Sequence, residues 1–258
     1  MKSACALLLA AAALGAAAAA PPPSPERVSI QVAQVLPEML EAWQNAVKAE
    51  GIPGQKKAGV AWRHTYTKAP FGQSYTFVTM TPISSFGEYD QPSALLRGLG
   101  EEGLVRYNAN VRPMVVSINT MAMTFERQAS IVSVNQKQAA LLLVETLYPL
   151  PGRTLEYTAL VATECLPHYS GARIKNYWLY TSSLGSSSMI MVVRPLEKLA
   201  ELDQPDSTTQ ALEAGLGAEA ASKLRQRLDG LLSSMGAKEI YRYIPELSFG
   251  GPAPTQTR

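Results

Sequence analysis

The segment GLGEEG at 98–103 has the G-x-G-x-x-G spacing found where a backbone turn meets the pyrophosphate of a dinucleotide. A second segment, GLGAEA at 215–220, has the looser form that ends in alanine. In dinucleotide-binding proteins this turn directly follows a strand, whereas the strand predicted here ends near Thr81 and a polar segment intervenes. Glu101 and Glu102 would also face a doubly negative ligand. The spacing therefore does not predict a dinucleotide site.

Residues for metal binding or acyl transfer are scarce. Histidine occurs only at His64 and His168, and cysteine only at Cys165 and, within the apolar N-terminal run, at Cys5. No His-Glu-x-x-His, paired-cysteine or Gly-x-Ser-x-Gly pattern occurs. We therefore expect no metal and no cofactor. A zinc site or Ser-His-Asp triad formed by three-dimensional clustering, or haem ligation through one histidine, stays open.

Alternating aromatic residues on one predicted strand of each half are the better candidate. Trp62, His64 and Tyr66 alternate and so share a face, and Trp178 and Tyr180 align with Trp62 and His64. The candidate ligand-binding residues are Trp62, Tyr66, Tyr75, Phe77, Trp178 and Tyr180. If this face lines a barrel interior, it forms an aromatic chamber in which His64 could act as the acid–base catalyst. The alternative is that these rings fill the interior and His64 is structural.

The charge balance argues against nucleic acid as a partner. The chain carries 23 Lys and Arg against 21 Asp and Glu, a formal net charge of +2. Such a balance offers no basic surface for a phosphate backbone. Arg63, Arg112 and Arg173 could clamp an anion. Nothing in their spacing distinguishes them from ordinary surface arginines.

The N-terminus predicts export. Lys2 precedes an alanine-rich apolar run up to Ala20, and PPPSPE follows. A cationic start, an apolar core and a small-residue end are typical of a secretory signal peptide. The run is weaker than the roughly 20 strongly apolar residues that a membrane span needs. We expect a signal peptide at 1–20, a Pro-rich spacer at 21–27, no membrane span after cleavage, and a secreted or periplasmic location.

An internal repeat is the strongest pattern in the sequence. The segments 71–92 and 184–205 match at a constant offset of 113 residues. The matched pairs are Gly72/Gly185, Pro82/Pro195, Glu88/Glu201, Asp90/Asp203, Gln91/Gln204 and Pro92/Pro205. The GLG segments match at offset 117, and Trp62 matches Trp178 at offset 116. Duplication followed by loop drift explains these offsets, and both GLG segments are then interpreted as breaks or caps within a helical segment.

Each half predicts the order strand, helix, strand, strand, helix, strand. RVSIQVAQVL and AALLLVETLY are rich in branched residues, and helical spacing follows Pro37 and Pro151. Hairpin strands follow, then helical segments to about Asn110 and Leu232, and the closing strands PMVVSINTMAMTF and KEIYRYI. The expected fold class is α+β, with two ferredoxin-like βαββαβ repeats packed sheet-to-sheet as a pseudo-dimeric α/β barrel.

Repeat 1 is expected at 28–130 and repeat 2 at 131–247, followed by a disordered tail at 248–258. Each four-stranded sheet carries its helices on one face, so the other face needs a partner. The second repeat supplies what a dimer partner would otherwise supply. A monomer is therefore plausible, and the oligomeric state stays open.

The chain resembles the dimeric α/β-barrel superfamily in a tandem, single-chain form, and is most similar to NIPSNAP-type and antibiotic-biosynthesis-monooxygenase-like domains. The resemblance is carried by GVAW and KNYW, by the paired glycines and prolines, and by SSFGEYDQP and LEKLAELDQP. It covers about 28–247. The superfamily includes cofactor-free monooxygenases, haem-handling enzymes and isomerases, so the resemblance implies the fold more narrowly than the chemistry.

Three functional hypotheses follow. The first is an exported protein that binds a small apolar or aromatic molecule in or beside the barrel interior, without catalysis. The second is a cofactor-free monooxygenase- or isomerase-like enzyme that uses the barrel cavity, with His64 as its acid–base group. The third is a structural partner of another cell-envelope protein.

Overall fold

The computed structural model describes residues 26–68, 70–133 and 138–251. The predicted signal peptide, most of the spacer and residues 252–258 of the predicted tail lie outside them. The strands are β1 (Arg27–Val35), β2 (His64–Lys68), β3 (Thr76–Ile83), β4 (Val115–Phe125), β5 (Leu141–Pro149), β6 (Trp178–Leu184), β7 (Ile190–Leu196) and β8 (Leu232–Tyr243). The helices are α1 (Leu40–Ala46), α2 (Ile52–Lys57), α3 (Ala94–Val111), α4 (Thr154–Leu160), α5 (Leu166–Gly171), α6 (Ser207–Leu216) and α7 (Ala218–Asp229).

The predicted element order holds in both halves, with two differences at the ends of elements. The last helix stops at Asp229 and β8 already begins at Leu232, where helix was predicted. β2 begins only at His64, so Trp62 precedes the strand. A five-residue π-helical turn joins α1 to α2 (Val47–Gly51) and α4 to α5 (Val161–Cys165). A proline follows each turn two residues later, and the wider turn removes the need for the N–H that proline lacks.

The eight strands form one closed barrel in the order β1-β3-β2-β8-β5-β7-β6-β4. Each repeat contributes a four-stranded ferredoxin-like sheet, and the β2–β8 and β4–β6 pairings join the two sheets at their edges. The sheets therefore face each other across the barrel interior, as predicted. A pseudo-dimeric α/β barrel is confirmed.

Strand pairing defines which residues of the two repeats are equivalent. His64 pairs with Met80 in repeat 1, and Trp178 pairs with Val193 in repeat 2. Met80 and Val193 are equivalent at the offset of 113 that the hairpins share (80 to 193). His64 is therefore equivalent to Trp178, at an offset of 114 (64 to 178).

The predicted alignment of Trp62 with Trp178, and of His64 with Tyr180, is wrong by two residues. By the same pairing Tyr66 is equivalent to Tyr180 (66 to 180). The shared tryptophan is misleading because register is set by hydrogen-bonded pairing and by which face is buried, and one matching residue specifies neither. The helices α1 and α4 obey the same offset of 114, since they begin at 40 and 154.

The two GLG segments break their helices, as predicted. Gly100 has φ +75° inside α3, and Gly217 has φ +82° between α6 and α7. Only glycine adopts this backbone region readily. Gly98, the first glycine of the first segment, is a close-packing position: α3 lies there directly on the backbone of Gly54 in α2.

Each repeat ends in a segment that packs against the other repeat. These two crossing arms are residues 126–133 and 244–251. The N–H of Leu179 donates to the Ser130 hydroxyl at 2.9 Å, and the N–H of Thr65 donates to the Ser248 hydroxyl at 2.9 Å. A strand-like bridge joins Ile131 of the first arm to Tyr177, and an equivalent bridge joins Phe249 of the second arm to Arg63. The arms tie the repeats together beyond the barrel.

The predicted tail does not begin in disorder. Phe249 exchanges two backbone hydrogen bonds with Arg63, both 2.8 Å long. Gly250 lies so close to Trp62 that an added Cβ would come within 2.4 Å of the Trp62 Cβ. Polar and glycine-rich composition suggested a free end, but these residues are fixed by main-chain pairing, which composition does not reveal.

Candidate functional site

The barrel interior brings together most of the predicted aromatic site. His64, Tyr66, Trp178 and Tyr180 all occupy inward positions and are exposed by 4% or less. Trp62 stacks on His64 with ring centroids 4.8 Å apart. The space left inside is a cavity of about 20 Å³, which accommodates about one water molecule. The rings fill the interior and leave no chamber for an organic ligand.

His64 is enclosed in this interior. It is 1% exposed, between the stacked Trp62 ring and Tyr243, whose ring meets it edge-on at 5.9 Å. Neither ring nitrogen has a hydrogen-bond partner among the described residues, and the same holds for Nε1 of the equivalent Trp178. Burial lowers the pKa of His64, and the nearby Gly251 backbone opposes this only in part. The imidazole is therefore neutral and shielded from any substrate.

This environment predicts that His64 makes the fold sensitive to acid. Because the folded-state pKa of His64 lies below the unfolded value, the unfolded chain binds this proton first as pH falls. We expect the free energy of unfolding to fall as the pH drops through the unfolded-state pKa of about 6.5, with ~1.4 kcal/mol per pH unit as the upper limit of the slope from one group. Urea denaturation across pH should therefore show a shallower acid slope for His64→Phe than for the unaltered protein. Parallel slopes would contradict the prediction.

Two predicted site residues lie outside the interior. Tyr66 pairs with Val78, so the inward positions of β3 are even-numbered and Phe77 faces the helices. Phe77 packs there on Trp43, with ring centroids 4.5 Å apart. Tyr75 precedes β3 at φ +59° and is 40% exposed. The prediction that Tyr75 and Phe77 line the same chamber as His64 is therefore wrong, because it assigned β3 the opposite face.

Arg63 is buried, in contrast to the surface position expected for it. It is 7% exposed and lies between the sheet and the helices of repeat 1. Its guanidinium donates to the Leu247 carbonyl at 3.1 Å, to Gln55 Oε1 at 3.1 Å and to Thr79 Oγ1 at 3.2 Å. These acceptors are neutral, and burial lowers the pKa of Arg63 to about 10, against a smaller opposing effect of Tyr107. Its contacts hold the second crossing arm.

A second space that could hold a ligand lies outside the barrel, between the sheet and the helices of repeat 2. This outer cavity has a volume of about 160 Å³. Its walls include Tyr157, Tyr169, Tyr177, Arg194, Leu212 and Leu228. Glu145, Arg225 and Asp229 also line it. Its volume is comparable to that of an engineered cavity of roughly 150 Å³ that holds benzene, but its walls are partly polar and it is open on one side.

The three tyrosines give the outer cavity aromatic walls. Tyr169 and Tyr177 lie with ring centroids 5.2 Å apart at an interplanar angle of 50°. Burial raises the pKa of Tyr157, Tyr169 and Tyr177 well above the usual range, so their hydroxyls are neutral at physiological pH. Cys165 lies under the same helices, and burial raises the pKa of its thiol to about 11. It is therefore a protonated core residue and a poor nucleophile.

The duplication explains why repeat 2 has room here. At the offset of 114, Tyr157 is equivalent to Trp43 (43 to 157), and at 113 Ile190 is equivalent to Phe77 (77 to 190). In repeat 1 the Trp43 and Phe77 rings pack together. Repeat 2 has smaller side chains at both positions, and one of them, Tyr157, lines the cavity.

Neither a metal cluster nor a membrane-spanning helix occurs in residues 26–68, 70–133 and 138–251. There, no three or more His, Cys, Asp or Glu side chains cluster so that they could hold a metal ion. Over the same residues, none of the helices has the length and apolar character required to cross a bilayer.

Known proteins match this chain through structure alone. No family model matches the sequence, and no curated protein matches it. An anthrone oxidase-like protein superposes with a TM-score of 0.58 at 10% identity, over 91% of this chain and 98% of its own. The chlorite dismutase of Candidatus Nitrospira defluvii, in complex with imidazole, gives 0.52 at 10% identity, over 86% and 92%. A candidate monooxygenase from Lactobacillus acidophilus NCFM gives 0.51 at 7% identity, over 89% and 99%.

These matches cover nearly all of each chain and agree with the barrel topology. The chain therefore has the fold of the dimeric α/β barrels, here formed by one polypeptide. Identities this low show the fold and carry no chemistry over. The closer resemblance to NIPSNAP-type domains stays a prediction.

Sequence reasoning missed the outer cavity. Tyr157 lies in α4, Tyr169 lies in α5 and Tyr177 lies just before β6, so no local sequence spacing links the three tyrosines. One signal was present in the sequence. At the offset of 114, Tyr157, Tyr169 and Tyr177 are equivalent to three residues of other types in repeat 1: Trp43, Gln55 and Arg63. Divergence concentrated in one layer of a duplicated fold marks a candidate site.

Proposed function

We propose that this protein binds a small, single-ring molecule in the outer cavity of repeat 2, beside the barrel interior, and acts as an exported binding protein. The observation that carries this proposal is the cavity of about 160 Å³ with tyrosine walls. Apolar and aromatic walls with a few polar groups are typical of small-molecule sites. Export rests on the N-terminal sequence pattern, and mass determination of the mature N-terminus would test it.

Access favours binding in the outer cavity over catalysis at His64. His64 is 1% exposed, and the interior cavity of about 20 Å³ is lined by other residues. A general acid or base must come within hydrogen-bonding reach of the reacting atom. The filled interior offers no such position, so the monooxygenase- or isomerase-like hypothesis loses its proposed site.

The repeat itself supplies a test. Tyr157→Trp places in repeat 2 the residue that fills the equivalent position of repeat 1, and its extra ring volume should occupy the outer cavity. We expect the affinity for a single-ring probe such as phenol or benzyl alcohol to fall about tenfold or more, since ~1.4 kcal/mol of lost burial corresponds to a factor of ten. Isothermal titration calorimetry or ligand-observed NMR would measure it.

Tyr89→Trp is the matched control, because Tyr89 is 62% exposed and far from the cavity walls. It should leave both affinity and stability unchanged. Comparable probe binding to the unaltered protein and to Tyr157→Trp would refute the proposed site, provided that urea denaturation shows both proteins folded.

A further inference from the structure

We propose that the ligand of the outer cavity is an organic cation: a single ring that carries an ammonium group. This inference rests on the proposed function and adds the charge of the ligand. Three features of the cavity favour a cation: its aromatic walls, arginines that are already paired, and the carboxylates of Glu145 and Asp229 in its lining.

The aromatic walls favour a cation. Tyr157, Tyr169 and Tyr177 present three ring systems to one space. The face of an aromatic ring carries negative partial charge, so clustered rings attract an ammonium group. Because burial keeps all three hydroxyls protonated, the tyrosines add no negative charge of their own to the cavity.

The two arginines of the cavity are held by acidic partners. Arg194 pairs with Asp206 at 2.5 Å. Burial raises the pKa of Asp206, but the hydrogen bonds and charge of Arg194, with Thr208, outweigh this and hold it well below the usual range. Arg225 donates through both terminal nitrogens to Glu213 at 3.2 Å. Each pair is close to neutral, so these arginines provide little attraction for an anion.

The two carboxylates that line the cavity differ in their partners: Glu145 forms an ion pair comparable to that of Arg225, and Asp229 forms none with the described residues. The Glu145 carboxylate is 3.4 Å from Lys238, whose side chain is 49% exposed, and such pairs contribute little. Asp229 is exposed at the C-terminal end of α7 and forms no ion pair with any other described residue. Both carboxylates raise the pKa of Tyr157, after the larger effect of burial. Their charge therefore reaches the cavity.

The two repeats differ in charge at these positions. Glu145 of β5 is equivalent to Gln31 of β1 at the offset of 114 (31 to 145), and Asp229 is equivalent to Arg112 at 117 (112 to 229). A neutral side chain and a cation in repeat 1 are thus two anions in repeat 2. The repeat that contains the outer cavity is therefore also the repeat that carries these two carboxylates.

A charge series of matched probes tests this inference. Benzylammonium, benzyl alcohol and benzoate share one ring and one carbon substituent and differ in charge. We expect benzylammonium to bind about tenfold more tightly than benzyl alcohol, and benzoate more weakly than either. Calorimetry on the unaltered full chain measures all three.

The carboxylate variants sharpen the test. Asp229→Asn and Glu145→Gln should each weaken benzylammonium by about three- to tenfold and leave benzyl alcohol unchanged. Equal affinity for the cation and the alcohol, or tightest binding of benzoate, would overturn the cation inference while the binding site stands. If none of the three probes binds, the proposed function fails as well. Exposed Asp203→Asn is the control for loss of a distant acidic charge.

Discussion

Gly98→Ala is expected to lower the free energy of unfolding by about 3 kcal/mol, a large effect for adding one methyl group. A Cβ at this position would come within 1.9 Å of the Gly54 carbonyl oxygen and 2.6 Å of its carbonyl carbon. Both are backbone atoms and cannot rotate away, so α3 must move off α2. The gain in helix propensity on replacing glycine, about 1 kcal/mol, offsets only part of this cost.

The second repeat supplies a graded comparison. At the equivalent Gly215, the nearest atom to an added Cβ is Nδ1 of His168, at 2.2 Å. That contact is with a side chain that can move, so Gly215→Ala should cost less than Gly98→Ala. Gly171→Ala, with no neighbour within 4 Å, should have almost no effect. Urea denaturation of the three variants tests this order, and a Gly98→Ala cost no larger than that of Gly171→Ala would contradict the packing argument.

The glycine segments illustrate how far the sequence predicts this fold. Their spacing suggests a nucleotide turn, but their recurrence at offset 117 assigns them to a duplicated architecture. Gly100 and Gly217 break their helices as predicted, because a positive φ is a local property that residue type reveals. The close approach at Gly98 depends on where another helix lies, which residue type does not indicate.

The candidate site is less predictable for a related reason. The sequence correctly places His64, Tyr66, Trp178 and Tyr180 on inward faces, since alternation survives any error in alignment. Whether the interior is hollow depends on how the rings interlock, and that is a sum of volumes over eight strands. The outer cavity depends on differences such as Tyr157 for Trp43, whose meaning appears only once strand pairing makes the two positions equivalent.

Arg63→Ala is expected to lower the free energy of unfolding by about 1–3 kcal/mol, the cost of leaving a buried hydrogen-bond acceptor unsatisfied. The truncation leaves Gln55 Oε1 without its donor and opens a void between sheet and helices. Thr79 Oγ1 and the Leu247 carbonyl each lose one hydrogen bond and keep their contact with the Thr65 hydroxyl. Arg112→Ala is the control: Arg112 is exposed, and such a surface change should stay within about 0.5 kcal/mol. Chemical denaturation of both variants measures the difference.

The same variant should loosen the second crossing arm. The Phe249 N–H donates to the Arg63 carbonyl at 2.8 Å, and the Arg63 side chain fixes the Leu247 carbonyl two residues earlier. Hydrogen exchange at Phe249 should therefore accelerate in Arg63→Ala more than at Ile131 of the other arm, whose bridge partner is Tyr177 instead of an arginine. Arg63→Met separates charge from volume: it fills the void without a buried cation, so it should recover part of the stability but not the protection of the arm. If Arg63→Ala changed the exchange rates at Phe249 and Ile131 by the same factor, main-chain pairing alone would hold the second arm.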